Sequence, residues 1–129
     1  MGHIVIQSRG RLSSQQKTGH YHGVVLAEDL SEEPTTAGLR SSFIQFQKGA
    51  FTKLHYHTGG QVLYVTAGEG FVEFSDGQVY DLKPGTRVIV PPGELHRHGA
   101  TKDADLEHLA ITAGESIWWE ADTTQAGPR

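Results

Sequence analysis

The tripeptide His55-Tyr56-His57 sets two imidazoles two residues apart in a run, residues 53–57, that reads as a β-strand. Side chains alternate across a strand, so His55 and His57 share a face and can converge on one ion, while Leu54 and Tyr56 point the other way. The turn Thr58-Gly59-Gly60 lets the next strand return beside the first, bringing the Gln61 amide within reach of the same ion. The chemistry in view is that of a divalent metal. A fourth candidate, His96, follows the turn Pro91-Pro92-Gly93-Glu94-Leu95, although nothing local sets it apart from an ordinary histidine. His98 lies two residues beyond it and shares its face if that stretch is extended. In Leu106-Glu107-His108-Leu109-Ala110-Ile111, His108 shares a face with Ala110. Imidazoles titrate near neutrality, so His98 and His108 are candidates for general acid–base work.

Positioning such side chains requires short strands and tight turns. Runs of β type occur at Ser42-Phe43-Ile44-Gln45-Phe46 and at residues 53–57, 61–66, 70–74, 78–82, 87–90 and 106–112. Their turns include Ser75-Asp76-Gly77, Lys83-Pro84-Gly85 and Pro91-Pro92-Gly93. Spacing near ten residues with this punctuation predicts an all-β jelly roll or small sandwich. No internal break resembles a linker, so residues 1–129 are expected to form a single domain. Residues 1–36 read as an N-terminal arm, with the apolar run Gly23-Val24-Val25-Leu26-Ala27 as an edge strand. Residues 121–129 read as a flexible tail.

Composition excludes several function classes. Eleven Lys and Arg against 15 Asp and Glu give a net charge of −4 with no basic cluster, which argues against nucleic acid as a partner. No apolar stretch approaches the roughly 18 residues of a membrane span, and the start carries no secretion signal, so the expected location is the cytoplasm. Cysteine is absent, which removes thiolate catalysis and zinc–thiolate sites. His20-Tyr21-His22 is a second His-x-His, but no further ligand follows it at a matching distance. Ser41-Ser42 lacks a nucleophile-elbow context, and Asp103 with Asp105 reads as solvated charge.

The spacing of these residues resembles the cupin superfamily. Gly49, His55, His57, position 61 and Gly68 match its first motif; Gly85, Pro91, Gly93 and His96 match its second. The resemblance implies a double-stranded β-helix, the cupin-type jelly-roll barrel, and makes His96 the fourth metal ligand with His55, His57 and Gln61. Gln61 stands where the superfamily pattern has a glutamate, and Ala100 where it has an asparagine. Three neutral imidazoles and a neutral amide leave the ion's double charge uncompensated, making it a stronger Lewis acid while removing a potential base. Proton transfer then falls to His98 or His108. Such ligands suit manganese, iron, zinc, nickel or cobalt.

Over residues 55–111 the chain is similar to the small bacterial cupins that include manganese-dependent hydroxynitrile lyases. The similarity lies in His-x-His-x-x-Gly-Gln, Pro-Gly-Glu-x-His-x-His-Gly-Ala and His-Leu-Ala-Ile, with Trp118-Trp119-Glu120 near the C-terminus. It implies manganese, lyase-type chemistry on a small hydroxylated or carbonyl substrate, active-site roles for His98 and His108, and a homodimer. An iron-dependent dioxygenase and a non-catalytic ligand-binding cupin are the alternative readings. Phe46, Leu63, Phe71, Val88 and Leu106 are candidate pocket walls, or plain core.

Overall fold

The computed structural model describes residue 4, residues 6–32, residue 36 and residues 38–129; part of the expected arm over residues 1–36 lies outside this set. Thirteen strands appear: β1 Ser13–Ser14, β2 Tyr21–His22, β3 Val25–Asp29, β4 Leu39–Phe46, β5 Phe51–Thr52, β6 His55–His57, β7 Gln61–Gly68, β8 Gly70–Phe74, β9 Val79–Leu82, β10 Arg87–Val90, β11 His96–Ala100, β12 Leu106–Ala113 and β13 Ser116–Trp118. Among the described residues the only helical turn is the 3-10 segment Gln16–Thr18, and no helix is long and apolar enough to cross a membrane.

The strands form two antiparallel sheets, as a jelly-roll cupin barrel requires. One runs in the order β1-β3-β4-β12-β7-β10; in the other β13-β6-β11-β5-β2 are joined by β8 and β9 on the far side of β11. The core lies between them and draws on both, with Phe46, Leu63, Val65 and Leu106 from the first sheet and Val72, Leu82 and Ala100 from the second. Apolar residues on alternate positions of β4, β7 and β12, Ile44, Phe46, Leu63, Val65, Leu106 and Ala110, bury one face of the first sheet, and that apolar area is the main driving force for closing the barrel.

The predicted runs 70–74 and 87–90 coincide with β8 and β10. Of the predicted run 53–57 only residues 55–57 are strand, as β6, with the short β5 just before it at Phe51–Thr52; β11 and β13 are strands that apolar alternation does not reveal. In β11 the inward positions are His96, His98 and Ala100, so polar groups occupy the face that a hydrophobic pattern would mark.

Two terminal features differ from the sequence expectation. The run around Val25 and Leu26 is not the sheet edge: β3 pairs with β4 on one side and with β1 on the other, Ser13 opposite Ala27 and Ser14 opposite Leu26. Residues 121–129, read in the sequence as a flexible tail, have no regular structure but make polar contacts with the barrel. Asp122 accepts a hydrogen bond from Leu54 N at 2.8 Å and pairs with Arg97 at 3.2 Å, while Arg129 pairs with Asp81 at 3.1 Å. These anchors are polar side chains in a Gly- and Thr-containing segment, which in sequence looks like a solvated tail.

Candidate metal centre

β6 carries His55 and His57 on one face, both buried, with Tyr56 turned away. It is held between β13, which sets Ser116 opposite His57 and Trp118 opposite His55, and β11, which sets His96 opposite His55. The three rings therefore meet, with centroids 4.4 Å apart for His55 and His96, 5.0 Å for His55 and His57, and 5.6 Å for His57 and His96.

Each ring is held by its outer nitrogen. His55 Nδ1 donates to the Lys53 carbonyl at 2.9 Å and His96 Nδ1 to the Glu94 carbonyl at 2.8 Å. A carbonyl only accepts, so the proton sits on Nδ1 and the Nε2 lone pair of both rings is left free, the tautomer a metal ligand needs. His57 Nδ1 is 2.8 Å from Ser116 Oγ, and its Nε2 is buried with no hydrogen-bond partner.

Gln61, the first residue of β7, completes the group. Its Nε2 donates to Thr112 Oγ1 at 3.0 Å, which turns Oε1 toward the histidines, 3.2 Å from His96 Nε2. With the His96 proton on Nδ1, two lone pairs face one another across that distance. A cation bound by both, and by the unpartnered His57 nitrogen, removes the repulsion, so these side chains fit a divalent ion.

His98 and His108 lie immediately behind. His98 Nδ1 and His108 Nε2 are 3.2 Å apart, both residues are buried, and the Phe46 ring packs against both, at 5.6 and 5.3 Å. Nitrogens of His55, His96 and His98 lie within 4.8 Å of one another, so the tightest histidine trio includes His98 where the sequence expectation has His57. Burial holds all five histidines in the neutral form: His57 is lowered to about 4 by desolvation, His96 and Arg40, and His108 to about 4 by desolvation. His55 and His98 lie well below the ordinary value of 6.5, chiefly by desolvation and then by the neighbouring rings; His96 is lowered too, mainly by burial.

Of these groups, His55, His57, Gln61 and His98 line a cavity of about 250 Å³, while His96 and His108 lie behind its wall. None of the five wall candidates, Phe46, Leu63, Phe71, Val88 and Leu106, lines it; Phe46, Leu63 and Leu106 belong to the core, Phe71 is fully buried and Val88 packs on the core. The walls are instead Tyr21, Arg40, Ser42, Thr52, Thr112, Ser116 and Trp118. Trp118 stacks on His55 at 4.4 Å and on His20 at 4.2 Å, and His20 Nε2 is 3.1 Å from Glu120 Oε1. The second His-x-His thus places His20 at the rim, while its His22 stacks on Phe51. Its signal in the sequence was present only as period-2 spacing with a ring at every second position.

Comparison with known proteins identifies the family. The model of the cupin domain matches residues 42–112, which contain every residue of the histidine cluster. The (R)-mandelonitrile lyase of Granulicella tundricola is 36% identical over 107 residues, 81% of this chain and 82% of that protein. The L-ectoine synthase of Saccharophagus degradans is 39% identical over 60 residues, 46% of each chain. Among solved structures, a cupin-like protein from Thermotoga maritima superposes with a TM-score of 0.76 at 32% identity, covering 89% of this chain and 88% of that one. A barrel of this topology, enclosing histidines on β6 and β11, together with these matches, shows that the chain belongs to the cupin family.

Proposed function

We propose that this chain is a metal-dependent lyase, with His55, His57, Gln61 and His96 as ligands to a divalent ion, manganese in first place, and His98 and His108 as the proton-transfer pair. The observation that carries the reading is the set of inward nitrogens and the Gln61 oxygen, each oriented by a partner on its far side, beside a buried imidazole pair. A bound divalent ion supplies Lewis acidity toward a substrate oxygen.

The residues around it define the rest of the step. His98, neutral through burial, accepts the substrate hydroxyl proton, and His108 fixes its ring through the 3.2 Å contact. As the hydroxyl becomes a carbonyl, the carbon–carbon bond breaks and its electron pair leaves with the departing group, which takes up a proton on release. For a cyanohydrin, the substrate class in the name of the Granulicella relative, the products are an aldehyde and hydrogen cyanide. Thr52 and Trp118 limit the space beside the reacting carbon.

The test is elemental analysis of natively expressed protein, followed by anaerobic turnover of mandelonitrile with the metal found. Aldehyde and cyanide in equal amounts, without oxygen, support the lyase. Oxygen-dependent product only, with iron bound, supports the dioxygenase alternative, in keeping with the 27% identity over 74 residues to acireductone dioxygenase 3 of Arabidopsis thaliana. Metal-free protein holding an organic ligand supports the binding-module alternative. Light scattering tests the expected homodimer, and fractionation of the source cells tests the expected cytoplasmic location.

A further inference from the structure

The inward row of β4 ends in a charge. Phe46 and Ile44 are buried, Ser42 and Arg40 follow toward the mouth, and Leu39, Ser41, Phe43 and Gln45 occupy the alternate positions. Across the sheet Arg40 lies opposite Thr112, whose other neighbour is Gln61. Arg40 Nη2 donates to the Gly114 carbonyl at 2.7 Å and to Ser116 Oγ at 3.1 Å, and Ser116 Oγ in turn lies 2.8 Å from His57 Nδ1. The guanidinium head is thereby held in place at the cavity wall.

Only that one nitrogen is engaged. Nε and Nη1 make no hydrogen bond among the described residues, and no carboxylate there pairs with Arg40. The described residues lining the cavity include no Asp or Glu, and Arg40 is the only Lys or Arg among them. A part-buried guanidinium beside neutral imidazoles, with no carboxylate next to it among the described residues, gives this end of the cavity a positive potential that favours an anion. A divalent ion held by neutral ligands adds to the same potential. Nη2 is spent on those two bonds, so the Nε and Nη1 N–H groups remain as separate charge-assisted donors, either of which can bond an anion oxygen.

We propose that Arg40 anchors an anionic group of the substrate, which makes the substrate class a small hydroxy- or oxo-carboxylate, one oxygen directed to the metal and the carboxylate to a remaining N–H of the Arg40 guanidinium. This rests on the metal-site reading above and narrows its substrate from any small hydroxylated molecule to an anionic one. Arg40 is a binding residue here, distinct from the proton-transfer pair.

Calorimetric titration of manganese-loaded protein with 3-hydroxybutyrate and with the neutral analogue butane-1,3-diol tests it, with metal content measured in parallel. Wild type should bind the carboxylate about tenfold or more tightly than the diol, and Arg40→Gln should erase that preference while leaving the diol unchanged. An unaltered preference in a fully loaded Arg40→Gln variant overturns the proposal. If that variant fails to fold or to load, Arg40→Lys decides: part of the preference must survive with the charge, and a folded, loaded lysine variant with none overturns it. Should wild type take up no divalent ion, the metal reading fails by itself. Arg40 is then judged in the metal-free protein, where tryptophan fluorescence must report carboxylate binding that Arg40→Gln abolishes, and its absence overturns the proposal.

Discussion

Thr112 Oγ1 accepts the Gln61 amide N–H at 3.0 Å, and that single bond decides which end of the amide faces the histidines. Without it the two ends are nearly equivalent sterically, and an N–H turned inward would oppose a cation. Thr112→Val removes the acceptor at nearly constant volume. Metal affinity should fall by about 10- to 100-fold with the fold intact, as read by competition with a chelator against circular dichroism. Unchanged affinity would mean that Thr112 does not orient the amide.

Gln61→Glu places a carboxylate where the amide oxygen stands. The Thr112 hydroxyl can rotate to donate to it, so the metal is retained. The added negative charge weakens the Lewis acid and raises the pKa of an oxygen bound to it. Turnover should fall, and the ascending, acid-side limb of activity should move to higher pH. A profile that coincides with wild type rejects the role given to amide neutrality.

Replacing His98 with Ala removes the proposed proton acceptor and leaves His108 Nε2 without its 3.2 Å partner. The variant should lose about 100-fold or more in turnover and about 1–3 kcal/mol in stability, with metal content unchanged. His108→Phe should show a smaller kinetic loss, because the acceptor remains while the group fixing its ring is gone. Single-turnover kinetics alongside urea unfolding separates the two effects.

The metal-free protein should weaken in acid. His57 and His108 stand at about 4 in the folded protein against the ordinary 6.5, and His55, His96 and His98 are lowered in the same direction. Between these values the unfolded chain binds more protons, so stability rises with pH there and is lost as pH falls from about 6.5 toward 4. Each histidine contributes up to about 1.4 kcal/mol per pH unit across its window. Urea midpoints measured with a chelator present should therefore fall between pH 6.5 and 4.5; a flat profile would show that these rings are hydrated.

Gly99 sits on β11 between β5 and β8, where a Cβ would overlap the Ala50 carbonyl and the Phe51 backbone. Backbone atoms of a central strand cannot yield as a side chain does. Gly99→Ala should cost about 1–3 kcal/mol and, through the neighbouring His98, loosen the site. A midpoint equal to wild type would mean that β5 shifts freely.

Much of this was legible in the sequence where chemistry and periodicity coincide. His55 and His57 announce themselves through strand alternation, and β8 and β10 through apolar runs between turns. β11 did not, because the residues that serve the site replace the apolar residues that would mark its inner face. Arg40 and Ser116 were also silent. Each is an ordinary polar residue in a plain strand context, and its significance comes from a partner 74 or 59 positions away in the chain. The clasp of Asp122 on Leu54 and Arg97 is equally long-range, and local composition pointed the other way.

The β4 residues that line the cavity, Ile44, Ser42 and Arg40, span four residue steps, about 13 Å of strand at 3.3 Å each, and polarity rises along that length. A guest that fills the cavity should therefore lie with its apolar part inward and its polar part outward. With His98 on the opposite wall as a third fixed point, the interior has a handedness. A molecule with a stereocentre satisfies the mouth, the base and the wall together in one enantiomer and misses one of them in its mirror image.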